Sequence, residues 1–281
     1  MTELSSPQSN PNVVTGTTQS PLSIALRHRH LLGALVVREI KDANIRSVMG
    51  SFWAVGAPLL TMLVYVFCFT FIFRTRLGIN EGPEVYVGYV LTGLAVWISL
   101  QEVANRAPNA IIANANLVKQ IVFPTELLPL KMALAAQTTL IVTVTVATIA
   151  CAFANRLGWA SLVLLPLAIA LFVLMSIGIS YFLAALAVFF PDVRNIIQLL
   201  FSIGLFLHPV LYPPGSAPPF VARMFEFSPF SHLIWCFRDA LYLGTMTRPF
   251  SWAVCAVTAI LVYLLGYRFF RMLKPTFGNA L

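Results

Sequence analysis

The sequence predicts an all-α integral membrane protein. It should have six transmembrane helices, an N-terminal amphipathic helix at the membrane interface, and short re-entrant helices between spans five and six. Three observations carry this prediction. Of 281 residues, 59% are hydrophobic and only 10% charged, too few charges to coat a soluble domain of this size. Six apolar stretches approach the roughly 20 residues that a helix needs to cross the hydrocarbon core. Lys and Arg are also unevenly shared between alternate connections, as the positive-inside rule requires.

Taken in order, residues 1–26 are mostly Ser, Thr, Asn, Gln and Pro, a composition that cannot bury a core and predicts a disordered cytoplasmic tail. The tail lacks the basic-then-apolar order of a signal peptide, so the N-terminus is expected to stay uncleaved in the cytoplasm. The rest, residues 27–281, forms one six-span domain. Between Arg27 and Val48, Leu31, Leu32, Leu35, Val36 and Ile40 recur at helical spacing among Arg38, Glu39, Lys41 and Asp42. That pattern suits a helix lying along the inner interface, either as a charged anchor or as a docking platform for a soluble partner.

The spans are expected at 54–73, 85–104, 130–152, 161–189, 196–212 and 251–271. The fifth is the shortest and runs into His208-Pro209 and then Pro213-Pro214. Residues 213–249 are too polar for a clean span and too apolar for an aqueous loop. A re-entrant pair of short helices suits them, provided that protein contacts satisfy the backbone. With the N-terminus inside, twelve of the eighteen basic residues fall on the cytoplasmic side. The outer six are Arg74, Arg76, Arg156, Arg223, Arg238 and Arg248. Both termini are therefore expected in the cytoplasm.

Several function classes are excluded. The formal charge of +8 comes without a basic run, which fits cytoplasmic loops and anionic headgroups rather than nucleic acid. Proton- or sodium-coupled carriers place acids inside their spans, and no acid pair occurs in these. All four lysines follow Ile, Val or Leu, so no P-loop G-K-[ST] exists, and any ATP and Mg²⁺ must be held by another chain. No D-x-D pair suggests a glycosyltransferase, His28 and His30 read as a solvated lead-in, and Cys68, Cys151, Cys236 and Cys255 lack metal spacing. No catalytic, metal or cofactor site is expected.

Four motifs carry a resemblance. The entrance to the first span holds Gly50, Trp53, Pro58, Leu59 and Leu60, followed by an aromatic run that includes Tyr65. The cytoplasmic connection holds Leu117, Val118, Lys119, Phe123, Pro124 and Pro129. The fifth span has Asp192, then Pro209, Val210 and Tyr212, and the next segment has Pro229, Arg238 and Gly244. Together they resemble the membrane subunit of polysaccharide-exporting ABC transporters, the ABC-2 type permeases, over residues 30 to 272. Two departures stand out: Pro191 replaces the family's Arg before Asp192, and Ser228 replaces its Asn.

The resemblance implies a homodimer clamped by two P-loop ATPase subunits in the bacterial inner membrane. A lipid-linked glycan of the O-antigen, capsule or teichoic acid type would pass between the protomers. A glycan channel should be lined by aromatic and neutral polar groups. Tyr86, Tyr89 and Trp97 share a stripe of span two, and Gln198, Phe201 and His208 share one of span five. With Phe52, Trp53, Tyr65 and Tyr212 these are the candidate channel residues, and interfacial anchoring is the competing explanation for the aromatics. Arg38, Asn116, Lys119, Phe123, Pro124, Asp192 and Arg194 are the candidates for coupling to the ATPase. Gly50, Gly56 and Pro58 would form a hinge at which the chain turns from lying along the membrane to crossing it. The rival classes are a membrane-embedded lipid-glycan processing enzyme and a drug-exporting ABC-2 permease. The short loop 74–84 favours polymer export over drug export.

Overall fold

A computed structural model of the chain describes residues 21–42, 52–73, 83–119, 123–212, 215 and 217–281. Gly50 of the expected hinge, residues 1–20 of the expected tail, and Ile121 and Val122 lie outside the described residues. Helix α1 (Pro21–Arg27) takes in the last residues of the stretch assigned to the tail, and α2 (Arg29–Asp42) follows it directly. Then come α3 (Phe52–Phe67), α4 (Pro83–Arg106), two single-turn helices α5 (Asn109–Ile112) and α6 (Ala115–Val118), α7 (Leu127–Phe153) and α8 (Ser161–Phe189). The chain continues through α9 (Val193–Leu207), α10 (Pro219–Phe227), α11 (Pro229–Arg238), α12 (Pro249–Leu273) and the terminal turn α13 (Phe277–Ala280).

Among the described residues, five helices are long and apolar enough to cross a membrane: Phe52–Ile72, Glu84–Arg106, Leu127–Phe153, Ser161–Phe189 and Pro249–Thr276. The fifth expected span, 196–212, differs. Its helix stops at Leu207 after 15 residues, about 22 Å at 1.5 Å per residue, short of a hydrocarbon core of roughly 30 Å. Pro209 is the physical reason. It biases the preceding residue away from helix, and His208 is accordingly extended at φ −122°, ψ 157°. Pro58 in α3 and Pro166 in α8 lie inside continuous helix by contrast.

Helix α4 forms the centre of the bundle and packs chiefly on α7, while α8 packs chiefly on α12. Hydroxyls join the first pair: Ser99 and Thr143 are 3.0 Å apart, and Thr143 donates to the Ala95 carbonyl at 3.2 Å. Such short polar links are a normal adhesive between membrane helices, where apolar burial offers little preference for protein over lipid. Main-chain contact joins the second pair. A Cβ on Gly178 would lie 2.6 Å from Tyr263 Cα, and one on Gly266 would run into the Gly178 carbonyl.

Of the five long helices α3 is the least embedded, with only Gly56, Pro58 and Met62 buried. Its other face exposes Leu60, Leu63, Val64 and Phe67, and a short π turn, Cys68–Ile72, extends it. The outward face of α9 is likewise apolar, with Ile196, Leu199, Leu200, Ile203 and Phe206 exposed. These surfaces belong against lipid or another chain.

Candidate functional site

Two sites occupy opposite ends of the bundle. One gathers the start of α4, the α7–α8 turn, the chain beyond α9, α11, and the start of α12. Once α9 ends at Leu207, ahead of Pro209, carbonyls beyond it have no helical partner, and side chains supply them. Arg238 Nη2 donates to the Val210 carbonyl at 2.8 Å. The Tyr86 hydroxyl donates to Leu211 O and the Tyr89 hydroxyl to Tyr212 O, both at 2.8 Å. Within α9 itself, Trp97 Nε1 also donates to the Phe201 carbonyl at 3.2 Å. Irregular backbone at membrane depth is tolerated when protein satisfies it in this way. Gly93 completes the stripe: a Cβ there would lie 2.8 Å from the Val210 carbonyl.

The predicted stripe of Tyr86, Tyr89 and Trp97 is therefore one continuous surface, and it faces inward. All three side chains are buried within the protomer. His208 joins them, 4.8 Å from the Trp97 ring, with Nδ1 2.7 Å from Gly204 O and Nε2 2.8 Å from Ser228 Oγ. Ser228, one of the two departures from the family pattern, thus has a definite partner. The fifth-span stripe divides. Phe201 packs on Trp97 at 5.2 Å, whereas Gln198 is exposed beside Leu199 and Leu200. Tyr212 stacks on Phe225 at 6.5 Å. Phe52 and Trp53 are exposed at the start of α3, in edge contact at 6.3 Å, and Tyr65 is half-buried against the core.

Beside the broken end of α9 lies a cavity of about 450 Å³. Arg156, Arg238 and Arg248 all line it, and each is stacked on an aromatic ring. Arg238 lies 3.6 Å from the Tyr89 centroid, Arg248 4.5 Å from Trp235 and Arg156 5.3 Å from Tyr242. These are three of the six arginines that the sequence assigned to the outer side. Their convergence was not foreseen, although their standing against the positive-inside bias was a usable signal. Asp239, also in the wall, is engaged elsewhere. It accepts from Trp252 Nε1 at 3.0 Å, from the Arg248 amide at 3.2 Å and from the Thr247 hydroxyl.

The wall is fixed by a tight turn contact. Gly244, at φ +62°, abuts Gly158 so closely that a Cβ on Gly158 would lie 2.5 Å from Gly244 O. Glycine is required at that left-handed torsion, and main chain meets main chain with no room for a side chain. The contact joins the α7–α8 turn carrying Arg156 to the segment following α11 that carries Tyr242.

At the other end, a groove of about 910 Å³ runs between α2, α5–α6 and the start of α7. Arg38, Arg194, Asn114 and Leu117 line it. Lys131 is nearly buried there, 2.9 Å from Glu39 and 3.4 Å from Asn114 Oδ1, so an ion pair ties α2 to α7. Of the coupling candidates, Arg38 and Arg194 share this groove, and Arg38 also pairs with Asp42 at 3.2 Å. Asn116 on α6 and Lys119 just past its end are exposed, and Asp192 is exposed at the head of α9. Phe123 packs into the core formed by α5, α7 and α8, and Pro124 is half-buried before α7. Lys274 closes the same end, 2.6 Å from Glu126. Gly56 and Pro58 of the expected hinge are buried within continuous α3, where a Cβ on Gly56 would meet the Phe52 ring at 2.9 Å.

A multi-pass bundle with one broken helix, an arginine–aromatic cavity at one end and a charged groove at the other marks a polytopic membrane protein. The chain belongs to the ABC-2 type transporter family, whose pattern matches residues 30–242. Among its relatives, an O-antigen export system permease protein RfbA of Klebsiella pneumoniae is 26% identical, over 92% of this chain and 100% of the relative. The protein of that name from Myxococcus xanthus is 27% identical over 85% and 90%. The polysialic acid transport protein KpsM of Escherichia coli is 21% identical over 85% and 91%.

Proposed function

We propose that this chain is the transmembrane subunit of an ATP-driven exporter of a lipid-linked polysaccharide in a bacterial inner membrane. Two copies would form the channel, with both termini cytoplasmic, and separate P-loop ATPase subunits would supply the energy. The observation that carries this reading is the nearly end-to-end alignment with permeases named for O-antigen export. The groove between α2, α5–α6 and Arg194 is the docking place proposed for the ATPase. It joins charge to exposed apolar surface, and it lies at the end where most basic residues gather.

The buried aromatics of α4 alter where a channel could run. Tyr86, Tyr89 and Trp97 are committed to the protomer's interior, so a lumen between two copies would draw on exposed surfaces instead. The face of α9 with Gln198, and Phe52 and Trp53 at the start of α3, are available for it. Co-expression with a P-loop ATPase, followed by reconstitution into liposomes, tests the proposal. ATP-dependent movement of a fluorescent lipid-linked oligosaccharide is expected. Failure of any ATPase to co-purify, cleavage of the glycan from its lipid, or transport of hydrophobic drugs in its place would each overturn it.

A further inference from the structure

Arg238 is 4% exposed, and its guanidinium is incompletely used. Nη2 serves the Val210 carbonyl and the ring of Tyr89 lies against its face, yet Nε and Nη1 have no hydrogen-bond partner among the described residues. Asp239, the adjacent carboxylate, is turned to Trp252, Thr247 and the Arg248 amide. A buried cation with open donors is expensive unless something fills them. Arg238 borders a cavity whose volume of about 450 Å³ lies within the range of small-molecule sites. Arg156 and Arg248 reach that cavity from two other elements.

We infer that this cavity binds a phosphoryl group, with Arg238 at its inner wall and Arg156 and Arg248 on its flanks. A planar carboxylate offers both its oxygens in one plane, where a single guanidinium fork can engage the two together. A tetrahedral phosphoryl group presents oxygens in several directions and can be shared by guanidinium groups from three elements. The aromatic rings beneath the arginines hold their planes in place and leave apolar surface for whatever the phosphate is attached to. Two sources carry this chemistry in a membrane: a polyprenyl diphosphate carrying the exported glycan, and the headgroup of a resident phospholipid. The first source rests on the exporter reading above, whereas the site itself does not.

The test uses the full chain in phosphate-free dodecyl maltoside micelles, titrated with farnesyl diphosphate, phosphatidylglycerol, inorganic phosphate, glucuronate and farnesol. Saturable binding of a phosphoryl compound is expected, and Arg238→Gln should weaken it about tenfold or more, the value of a charge-assisted hydrogen bond. Arg238→Lys should restore part of the loss. If Arg238→Gln does not fold, the double variant Arg156→Gln/Arg248→Gln decides, because its positions are partly exposed and their loss should leave the chain folded. Preference for farnesyl diphosphate assigns the site to the lipid carrier, and preference for phosphatidylglycerol assigns it to a headgroup. Inorganic phosphate binding alone, if sensitive to the arginine substitutions, still supports the site. Farnesol or glucuronate binding as tightly as the phosphoryl compounds, or retention of affinity by every folded variant, overturns the inference. Binding is read without transport, so failed export would leave this result interpretable.

Discussion

Tyr89 serves two partners at once: its hydroxyl donates to the Tyr212 carbonyl at 2.8 Å, and its ring lies 3.6 Å from the Arg238 guanidinium carbon. One side chain on α4 therefore holds both the broken end of α9 and the cation that borders the cavity. Tyr89→Phe keeps the ring and removes the donor. It should lower stability by about 0.6–2 kcal/mol by orphaning a backbone carbonyl, read as a reduced midpoint in thermal unfolding of the purified protein. Tyr89→Leu should lose more, since the ring beneath Arg238 goes as well. Equal effects from the two substitutions would show that the ring contributes nothing.

Asp239 gathers three donors in the cavity wall. Asp239→Ala should destabilise by about 2 kcal/mol or more, because the buried indole N–H of Trp252 loses its acceptor. Thermal unfolding reads the loss of stability, and tryptophan emission should shift as the indole environment changes. Asp239→Asn keeps one acceptor oxygen and should fall between the two.

The glycines at the α8–α12 crossing make a sharp comparison with one elsewhere. Gly178→Ala and Gly266→Ala should each cost about 1–3 kcal/mol through overpacking, seen as aggregated material in size-exclusion chromatography. Gly33→Ala on α2 meets nothing within 4 Å. It should be neutral or stabilising by up to about 1 kcal/mol, the helix-propensity difference.

At the groove end, charge reversal of exposed Lys119 combined with shortening of the 109–126 connection should separate ATP hydrolysis from export. Hydrolysis measured in the reconstituted complex should persist while glycan movement falls. Unchanged export would remove this connection from the coupling path.

In α3, Gly56→Ala with Pro58→Ala should impair export while leaving membrane insertion intact. The added methyl must displace the Phe52 ring 2.9 Å away, and the lost proline restores a backbone donor. Surface glycan measured alongside the membrane-inserted amount separates the two effects, and normal export would reduce the stretch to an anchor.

Much of this fold could be read from hydropathy. The expected spans 161–189 and 251–271 correspond to Ser161–Phe189 and Pro249–Leu273, because long apolar runs bounded by polar or proline residues leave few alternatives. The pair of short helices α10 and α11 fell where the 213–249 segment was too mixed for a span. The stripe on α4 was also legible as a stripe. Its facing was not, since a row of aromatics looks alike whether it lines a lumen or a core. The carbonyls that Tyr86 and Tyr89 cap lie more than 120 positions away in sequence. The arginine cavity was hidden for the same reason, its three cations standing on segments that only the folded chain brings together.

The backbone abutment of Gly178 on Gly266 has a mechanical corollary. Two helices with no side chains between them at the crossing cannot slide by letting rotamers yield, so α8 and α12 transmit displacement as a single strut. Any stroke that this protein makes must be accommodated at its peripheral pieces: α2 on its ion pair, α3 on its narrow buried stripe, and the short α9 with its side-chain-held end.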